Sequence, residues 1–441
     1  MQEAASQTSE PATHPKSHRI RGYLIGLAAT VLVVLVVLAA FLALRHVTTE
    51  RTTDRQQAAL QSFYVPPVGW QHQALGTVLR RQTVSGVPDG GTGWRILYRT
   101  QRSTGVPAVS GGLIFVPGAS APAAPLGGRV VVAWSHGTTG MGVACAPSRT
   151  PVVEASVKGL SEFLRAGWVV AATDYAGLGT AGTQEYLIGI AEAYDVLNSI
   201  RAVRTIPAAN AGSTVLLWGH SQGGASALWA ADTAPTYAPE LHVQAVAAAA
   251  PAADLAVLIS HQWNNLVGSL IGSEVLTAWP LTYPSLSAST VSSASASRIH
   301  DLAFTCVTPA ATALTIESLF VNTNLFDKNP IDVPSWRMQI EANVPPPPTV
   351  PTLIVQETTD GVVLAGSTAA YVATACTAGT AITADYIGGT GNPSKSSGIQ
   401  DHVTTGLAAA PYVSTWFQQR LLGEPAGSTC GTISPVAVLT P

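Results

Sequence analysis

The stretch that most constrains the fold is TVLLWGHSQGGASALWAAD, residues 214–232. Its first part is an uninterrupted apolar run of the kind found in a strand covered on both faces. Its last part is rich in small, helix-favouring residues. Between them, Gly219, Ser221 and Gly223 fit G-x-S-x-G, in which a sharp strand-to-helix turn holds the serine hydroxyl out of the sheet. Because the pattern has both its strand and its helix, we predict that Ser221 is a nucleophile.

Strand-like and helix-like segments alternate before this turn. RVVVAWSHG (129–137) and WVVAATDY (168–175) have the composition of buried strands. VKGLSEFLRAGW (157–168) and EYLIGIAEAYDVLNSIRAV (185–203) carry apolar residues at helical spacing. Strand and helix in succession predict an α/β fold with a mostly parallel central sheet and helices on both faces.

The N-terminal region has the pattern of a membrane anchor. Residues 1–21 form a polar tail that ends in a basic cluster, and residues 22–44 carry no charge. At about 1.5 Å per residue, that apolar run is long enough for a transmembrane helix across a core of about 30 Å. A cleaved signal peptide is the alternative, although its apolar region is usually only about 7–15 residues long. We expect a linker over 45–65 and an extracytoplasmic catalytic domain over 66–441.

Charge and cysteine content exclude some classes of partner and ligand. Only 11% of residues are charged and the formal net charge is −3, so no basic surface predicts a nucleic-acid partner. The four cysteines are widely spaced and never form the CxxC pattern of a zinc site. An even number in an exported domain predicts two disulfides with three pairings open, and four buried free thiols are the alternative. The cysteines are Cys145, Cys306, Cys376 and Cys430.

A serine nucleophile needs a general base, and His402 is the candidate among ten histidines. It lies in GIQDHVTTG, a predicted loop before the final amphipathic helix and after every predicted strand. That is the position of the base in α/β-hydrolases. His220 is adjacent to the nucleophile and is expected to point away from it.

The acid that orients the base is predicted to be Asp360, in the loop after the buried strand 352–356. Asp385 competes from within the last predicted strand, and Glu357 lies too close to the strand end. Asp401 is interpreted as a residue that orders its loop. The chain order serine, aspartate, histidine is the one found in α/β-hydrolases.

Backbone N–H groups must stabilise the oxyanion that such a nucleophile creates. The amide of Gln222, directly after Ser221, is one predicted donor. The loop SHGTTGMG (135–142) follows an early strand and supplies the second, for which we predict Thr138, with Gly137 as the neighbouring possibility.

One glycine-rich segment, GLGTAG (177–182), fits the GxGxxG dinucleotide pattern. At least two strands precede it, and no acidic residue closes the next strand about twenty residues on. We interpret it as a tight loop and expect neither an organic cofactor nor a metal.

A cap is predicted over residues 233–348, between the nucleophile helix and the strand VPTLIV. This interval is far longer than ordinary loops. DLAVLISHQWNNLVGSLIGSEVLTAW within it has helical spacing, and PPPP (345–348) closes it. Helices over an apolar site would exclude water and hold an acyl chain, and an accessory subdomain without substrate contact is the alternative.

Several ordered motifs together carry a resemblance to a known family. YRT, SHGTTG, CAPS, TDYAGLGT and GTQEYLIGIAEAYDVL, with the serine turn, resemble the secretory lipase family, the fungal lipase A type and its actinobacterial relatives. The similarity runs from about residue 69 to residue 422. The sequence departs from the family in its N-terminal apolar span and in QETTD, where a glycine commonly follows the glutamine.

The resemblance implies an α/β-hydrolase that cleaves carboxylic esters, including triacylglycerols, beneath an inserted cap. It also implies Ser221 as nucleophile, Asp360 as acid and His402 as base, and disulfides Cys145–Cys306 and Cys376–Cys430. We therefore expect an ester or lipid substrate. An acyltransferase with the same triad and a non-catalytic binding protein are the alternatives, and the sequence does not indicate an oligomeric state.

Overall fold

The computed structural model describes residues 55–150, 152–307, 324–388, 398–432 and 434–441. In this part of the chain, nine strands form one sheet in the order β1-β2-β3-β5-β4-β6-β7-β8-β9. The first three strands and the β3–β5 pair are antiparallel, and all pairs from β5 to β9 are parallel. The predicted mostly parallel sheet is therefore confirmed, with an antiparallel extension at one edge. The strands are β1 (Val78–Val84), β2 (Thr92–Gln101), β3 (Pro107–Val116), β4 (Arg129–Ser135), β5 (Val169–Thr173), β6 (Ala211–His220), β7 (His242–Ala249), β8 (Thr352–Glu357) and β9 (Ile382–Ile387).

Helices cover both faces of this sheet, because the central strands are apolar on both sides. In β6, Val215 and Leu217 face one core, whereas Leu216 and Trp218 face the other. Helices α2, α3 and α8 contribute to the first core, and α1 and α9 to the second. Among described residues after position 150, the helices are α1 (Leu160–Arg165), α2 (Gly189–Arg204), α3 (Gln222–Tyr237), α4 (Leu255–Gln262), α5 (Leu266–Thr282), α6 (Ala296–Ala303), α7 (Pro334–Ala342), α8 (Ala365–Thr377) and α9 (Gly398–Leu421).

We refer to the segment between β7 and β8 as the cap. Helices α4 to α7 pack around a separate apolar cluster that includes Trp279 and Trp336. The predicted start of this insertion at residue 233 is wrong, because residues 233–237 finish α3 and His242–Ala249 form β7 between β6 and β8. The alanine-rich sequence of β7 is typical of a helix, but small side chains also fit a strand buried between two parallel neighbours.

Helix α2 begins at Gly189 rather than at the predicted Glu185. Leu187 has a positive φ of 54°, and its N–H donates to the Glu192 carboxylate at 2.9 Å. This side-chain bond satisfies a backbone donor just before the helix, so the chain turns there instead of continuing helically.

The predicted tail (1–21), anchor (22–44) and first part of the linker lie outside the described residues. Among the residues that are described, no helix combines the length and apolar character needed to cross a bilayer.

Candidate active site

Ser221 lies at the turn between β6 and α3. Its backbone angles, φ 59° and ψ −123°, fall in a region that residues other than glycine rarely adopt. The neighbouring glycines make this turn possible: a Cβ on Gly219 would lie 1.9 Å from the Gly223 carbonyl oxygen, and one on Gly223 would lie 1.9 Å from the Ser135 carbonyl oxygen. The strand therefore meets the helix with no room for side chains at either position.

The structure brings Ser221, His402 and Asp360 into contact. Nε2 of His402 lies 2.9 Å from the Ser221 hydroxyl oxygen, and Nδ1 lies 2.8 Å from Oδ2 of Asp360. Both are hydrogen-bond distances, and all three residues are buried. The arrangement allows His402 to accept the serine proton while Asp360 fixes the tautomer of the ring.

His402 lies within α9, and the predicted loop position is wrong. Its surroundings contain threonine and glycine, which have low helix propensity and therefore favoured a loop from sequence alone. Contacts of His402 with the serine turn and the acid outweigh that preference.

The carboxylate of Asp360 is fixed by donors from its own loop. Oδ1 accepts the N–H groups of Val362 and Val363 at 2.8 and 2.9 Å, and Gln356 Nε2 lies 3.3 Å from Oδ2. The other candidate acids are placed elsewhere: Asp385 lies in β9, and Asp401 accepts the hydroxyl of Thr359 at 2.7 Å.

The predicted oxyanion donors lie next to Ser221. Gln222 is the first residue of α3, where backbone N–H groups have no acceptor within the helix. Gly137 lies so close that a Cβ on it would be 3.2 Å from the Ser221 Cβ, and Thr138 lines the same pocket.

The orientation of the 137–138 peptide supports Thr138 as the second donor. His136 Nδ1 lies 2.7 Å from the Gly137 carbonyl oxygen and donates to it. Burial lowers the pKa of His136 to about 4, so the ring is neutral. In a trans peptide the following N–H points opposite to the carbonyl, so the Thr138 N–H points away from His136.

Glu192 lies beneath the turn and was not identified from the sequence. It accepts hydrogen bonds from Gln222 Nε2 at 2.7 Å and Leu187 N–H at 2.9 Å, and it lies 2.5 Å from the Ser226 hydroxyl. Burial raises its pKa to about 7. This carboxyl group fixes the side chain of the residue that supplies one predicted oxyanion donor.

Both disulfides have the pairing that the resemblance implies. Cys145–Cys306 joins the loop after β4 to the cap, and Cys376–Cys430 joins α8 to the C-terminal segment. The first connection is reinforced by two backbone hydrogen bonds, Met141 N–H to Ala303 at 2.8 Å and Val307 N–H to Thr139 at 2.9 Å. The loop that carries Thr138 is therefore attached directly to the cap.

The pocket above Ser221 is largely apolar. Leu266, Leu270 and Ile271 of α5 face it. A second apolar cavity, enclosed by α4, α5 and α7, adjoins it and shares three of its lining residues. The shared residues are Val267, Ile271 and Val362.

Backbone groups of the 177–182 loop form hydrogen bonds within the protein. Gly177 N–H donates to the Thr180 hydroxyl at 3.0 Å, and Arg149 donates to the Gly179 carbonyl at 2.7 Å. Within the described ranges, no group of three metal-ligating side chains has the arrangement of a metal site.

The sheet order and the serine turn are those of the α/β-hydrolase fold, and solved structures agree. The rice cell wall degrading esterase LipA of Xanthomonas oryzae superposes with a TM-score of 0.64 and 20% identity, covering 79% of this chain and 100% of that chain. Candida antarctica lipase A gives a TM-score of 0.63 and 19% identity, covering 86% and 89%. At these identities the likeness shows the fold.

The family profile for secretory lipases matches residues 144–429, so the chain belongs to the secretory lipase family. It is 31% identical over 249 residues to a probable inactive lipase of Mycobacterium tuberculosis, covering 51% of this chain and 52% of the relative. It is 28% identical over 244 residues to the secreted triacylglycerol lipase LIP4 of Malassezia furfur, covering 52% and 44%. The chain thus spans about half the length of these curated relatives.

Proposed function

We propose that the chain is a carboxylic ester hydrolase of the lipase type that acts through an acyl-enzyme on Ser221. The observation that carries this proposal is the pair of contacts from His402, 2.9 Å to Ser221 and 2.8 Å to Asp360, beneath an apolar pocket. Family membership and the names of the relatives support it.

The proposed reaction follows from these positions. Ser221 attacks the ester carbonyl carbon while His402 takes its proton. The oxyanion accepts hydrogen bonds from the backbone amides of Gln222 and Thr138. His402 then protonates the departing alcohol, and water, deprotonated by the same ring, releases the acid and restores the serine.

The acyl chain of the substrate would occupy the second cavity. Its walls are almost entirely apolar and include Trp263, Val275 and Trp279. A long acyl chain in this space would bury apolar surface at about 25 cal/mol per Å². Esters of medium or long fatty acids, including acylglycerols, are therefore the proposed substrates.

An acyltransferase is the second candidate, and the apolar lining of the pocket around Ser221 favours it. Such a site could bind an alcohol acceptor in place of water and return the acyl group to it. The relative described as a probable inactive lipase raises the non-catalytic alternative, which is tested by active-site labelling.

We also propose that residues 22–44 anchor the chain and leave the catalytic domain outside the cytoplasm. Support comes from their apolar run and the preceding basic cluster. The full chain should remain in the membrane fraction after an alkaline carbonate wash, with its catalytic domain open to added protease. Release by carbonate would contradict anchoring, and full protection would contradict the orientation.

The experiment that tests the activity is active-site labelling with a fluorophosphonate, followed by hydrolysis of a p-nitrophenyl ester series. The folded protein should be labelled and should hydrolyse the esters, and Ser221→Ala should do neither. Absence of labelling in the wild-type chain, or its persistence in Ser221→Ala, would overturn the proposal. Ester formation that exceeds hydrolysis when a long-chain alcohol is added would indicate the acyltransferase.

The acyl position is tested by filling the second cavity. Ala252 lines it and is buried, so Ala252→Phe should shorten it, and Ala252→Val should have a smaller effect. We expect kcat/KM for a long-chain ester to fall about 10-fold or more, in the range of one lost hydrophobic contact, while a butyrate ester is unaffected. An equal loss on both esters would contradict this placement.

A further inference from the structure

A lysine without a carboxylate partner lies beside the proposed general base. Lys158 lines the pocket above Ser221, and its Nζ lies 3.0 Å from the Val403 carbonyl oxygen and 3.1 Å from His220 Nδ1. None of the ion pairs between described residues includes it. Burial lowers its pKa to about 7. A cation in this position carries a desolvation cost, so its contacts need an explanation.

The contacts of Lys158 determine how His220 is protonated. The backbone carbonyl oxygen of His402 can only accept, so the proton of the neutral His220 ring resides on Nε2, and Nδ1 accepts from the amino group of Lys158, which has hydrogens to donate in either protonation state. Nε2 lies 2.9 Å from the backbone carbonyl oxygen of His402 and donates to it. Burial and the nearby Lys158 keep the pKa of His220 well below its usual value, so the ring is neutral as this chain of hydrogen bonds requires.

The helix that carries His402 leaves space for this pair of side chains. Gly406 lies one turn after His402, and a Cβ on it would be 2.6 Å from Lys158 Cδ and 3.1 Å from His220 Cδ2. The ring of His220 also packs on that of His402, with centroids 4.8 Å apart. A glycine in a helix interior costs about 1 kcal/mol relative to alanine, and here it allows the two side chains to reach the backbone of α9.

We propose that Lys158 and His220 are positioning residues for the general base of the proposed esterase. Through hydrogen bonds to two consecutive carbonyl groups, those of His402 and Val403, they fix the turn of α9 that aims the imidazole between Ser221 and Asp360. This inference rests on the proposed function. It adds the residue preceding the nucleophile, and a lysine far away in sequence, to the set that determines where the base lies.

The test compares Lys158→Met with Lys328→Met, since Lys328 is exposed and its replacement makes the same side-chain change away from the pocket. Misplacement of a catalytic group by about 1 Å can cost about 100-fold in rate, so we expect kcat of Lys158→Met to fall about 10- to 100-fold. KM for a neutral ester should be unchanged. The melting temperature should change little, because the loss of two hydrogen bonds is offset by removal of the desolvation cost of a buried amino group. Lys328→Met should match the wild type in all three.

Two further variants separate positioning from other roles. His220→Phe keeps a ring against His402 but removes the hydrogen bonds, and it should lose as much kcat as Lys158→Met. The double variant should lose no more than the worse single one, because one chain of contacts is broken in each. Gly406→Ala should lower kcat when it is introduced into the wild-type chain, because the added methyl group displaces Lys158. Introduced into a Lys158→Ala chain, it should lower kcat no further.

Three results would overturn the inference. They are unchanged kcat in Lys158→Met, additive losses in the double variant, or a KM increase confined to esters with a carboxylate-bearing acyl group, which would make Lys158 a substrate contact. Failure of the proposed function is a different result, because the wild-type chain itself would then neither be labelled nor hydrolyse any ester.

Discussion

The serine turn and the cap enclose the same pocket, but they are stabilised in different ways. At the turn, backbone atoms of β4, β6 and α3 approach so closely that only glycine fits at positions 219 and 223. In the cap, large apolar side chains pack together, with Trp279 and Trp336 stacked at 6.2 Å between ring centroids, and a cavity remains beside α5. The proposed nucleophile, Ser221, therefore lies where the backbone leaves no room for larger residues at positions 219 and 223. The cap side of the pocket is made of apolar side chains, and exchanges among them that conserve volume have a modest cost in stability.

The largest expected effect comes from adding one methyl group at the turn. Gly223→Ala would place a Cβ 1.9 Å from the Ser135 carbonyl oxygen and 2.6 Å from that of His136, so the strand and helix must separate. We expect destabilisation above about 4 kcal/mol and no fluorophosphonate labelling. Thermal denaturation measures the loss of stability. Gly427→Ala, whose Cβ would meet only the Thr383 hydroxyl at 3.7 Å, is the control and should be nearly neutral.

A smaller change on the same side should remove catalysis and leave the fold. Asp360→Asn keeps the volume but disfavours the His402 tautomer that accepts the serine proton, so kcat should fall about 10⁴-fold. The melting temperature should change little. Asp385→Asn in β9 is the matched control and should retain activity within about two-fold, since it lies outside the triad. Comparable losses in both variants would exclude Asp360 as the acid.

The connection between the two regions is tested by removing each disulfide. Replacing Cys145 and Cys306 by alanine should cost about 2–4 kcal/mol of stability, and the same holds for Cys376 and Cys430. Only the first pair should also lower kcat, because it attaches the loop that carries Thr138 to the cap. Ester hydrolysis well below both melting temperatures separates the two effects. Equal kcat values in the two variants would show that the loop needs no covalent support.

The smallest effect concerns the pH dependence of stability. Burial raises the pKa of Glu192 to about 7, so the folded protein binds a proton that the unfolded chain, with a glutamate pKa of about 4.3, releases. Its contribution to stability is therefore present below about pH 4 and is lost as the pH rises to about 7.

Glu192→Gln mimics the protonated form, because its amide can donate to Ser226 while its oxygen accepts from Gln222. We expect the variant to be more stable than the wild type at pH 8, by on the order of 1–3 kcal/mol, with the difference vanishing near pH 4. Denaturant titrations at both pH values measure it. A variant that is less stable than the wild type at pH 8 would show that Glu192 is ionised in the fold.

The sequence predicts the elements whose signals are local and misses those that depend on distant contacts. The strand–glycine–serine–glycine–helix order locates Ser221. The order of residues along the chain then selects Asp360 and His402 as its partners, and the structure places both in contact distance. The strand His242–Ala249 was missed because alanines report helix propensity more strongly than burial in a sheet. Lys158 was missed as well, because its two acceptors lie 62 and 245 positions away. Glu192 was missed because an acidic residue in a helical segment is usually exposed, and two of its hydrogen-bond partners, Gln222 and Ser226, lie 30 and 34 positions away.

The attachment of the 137–142 loop to residues 303–307 has a consequence for biosynthesis. The Cys145–Cys306 bond closes a separation of 161 positions, so it cannot form until helices α1 to α6 have been synthesised. It also forms only in an oxidising compartment. Before that, the described contacts between the loop and the cap include two backbone hydrogen bonds and the packing of Met141 in the apolar cluster of the cap. If the chain is exported as proposed, the loop that carries Thr138 acquires its covalent attachment only after the chain reaches an oxidising compartment.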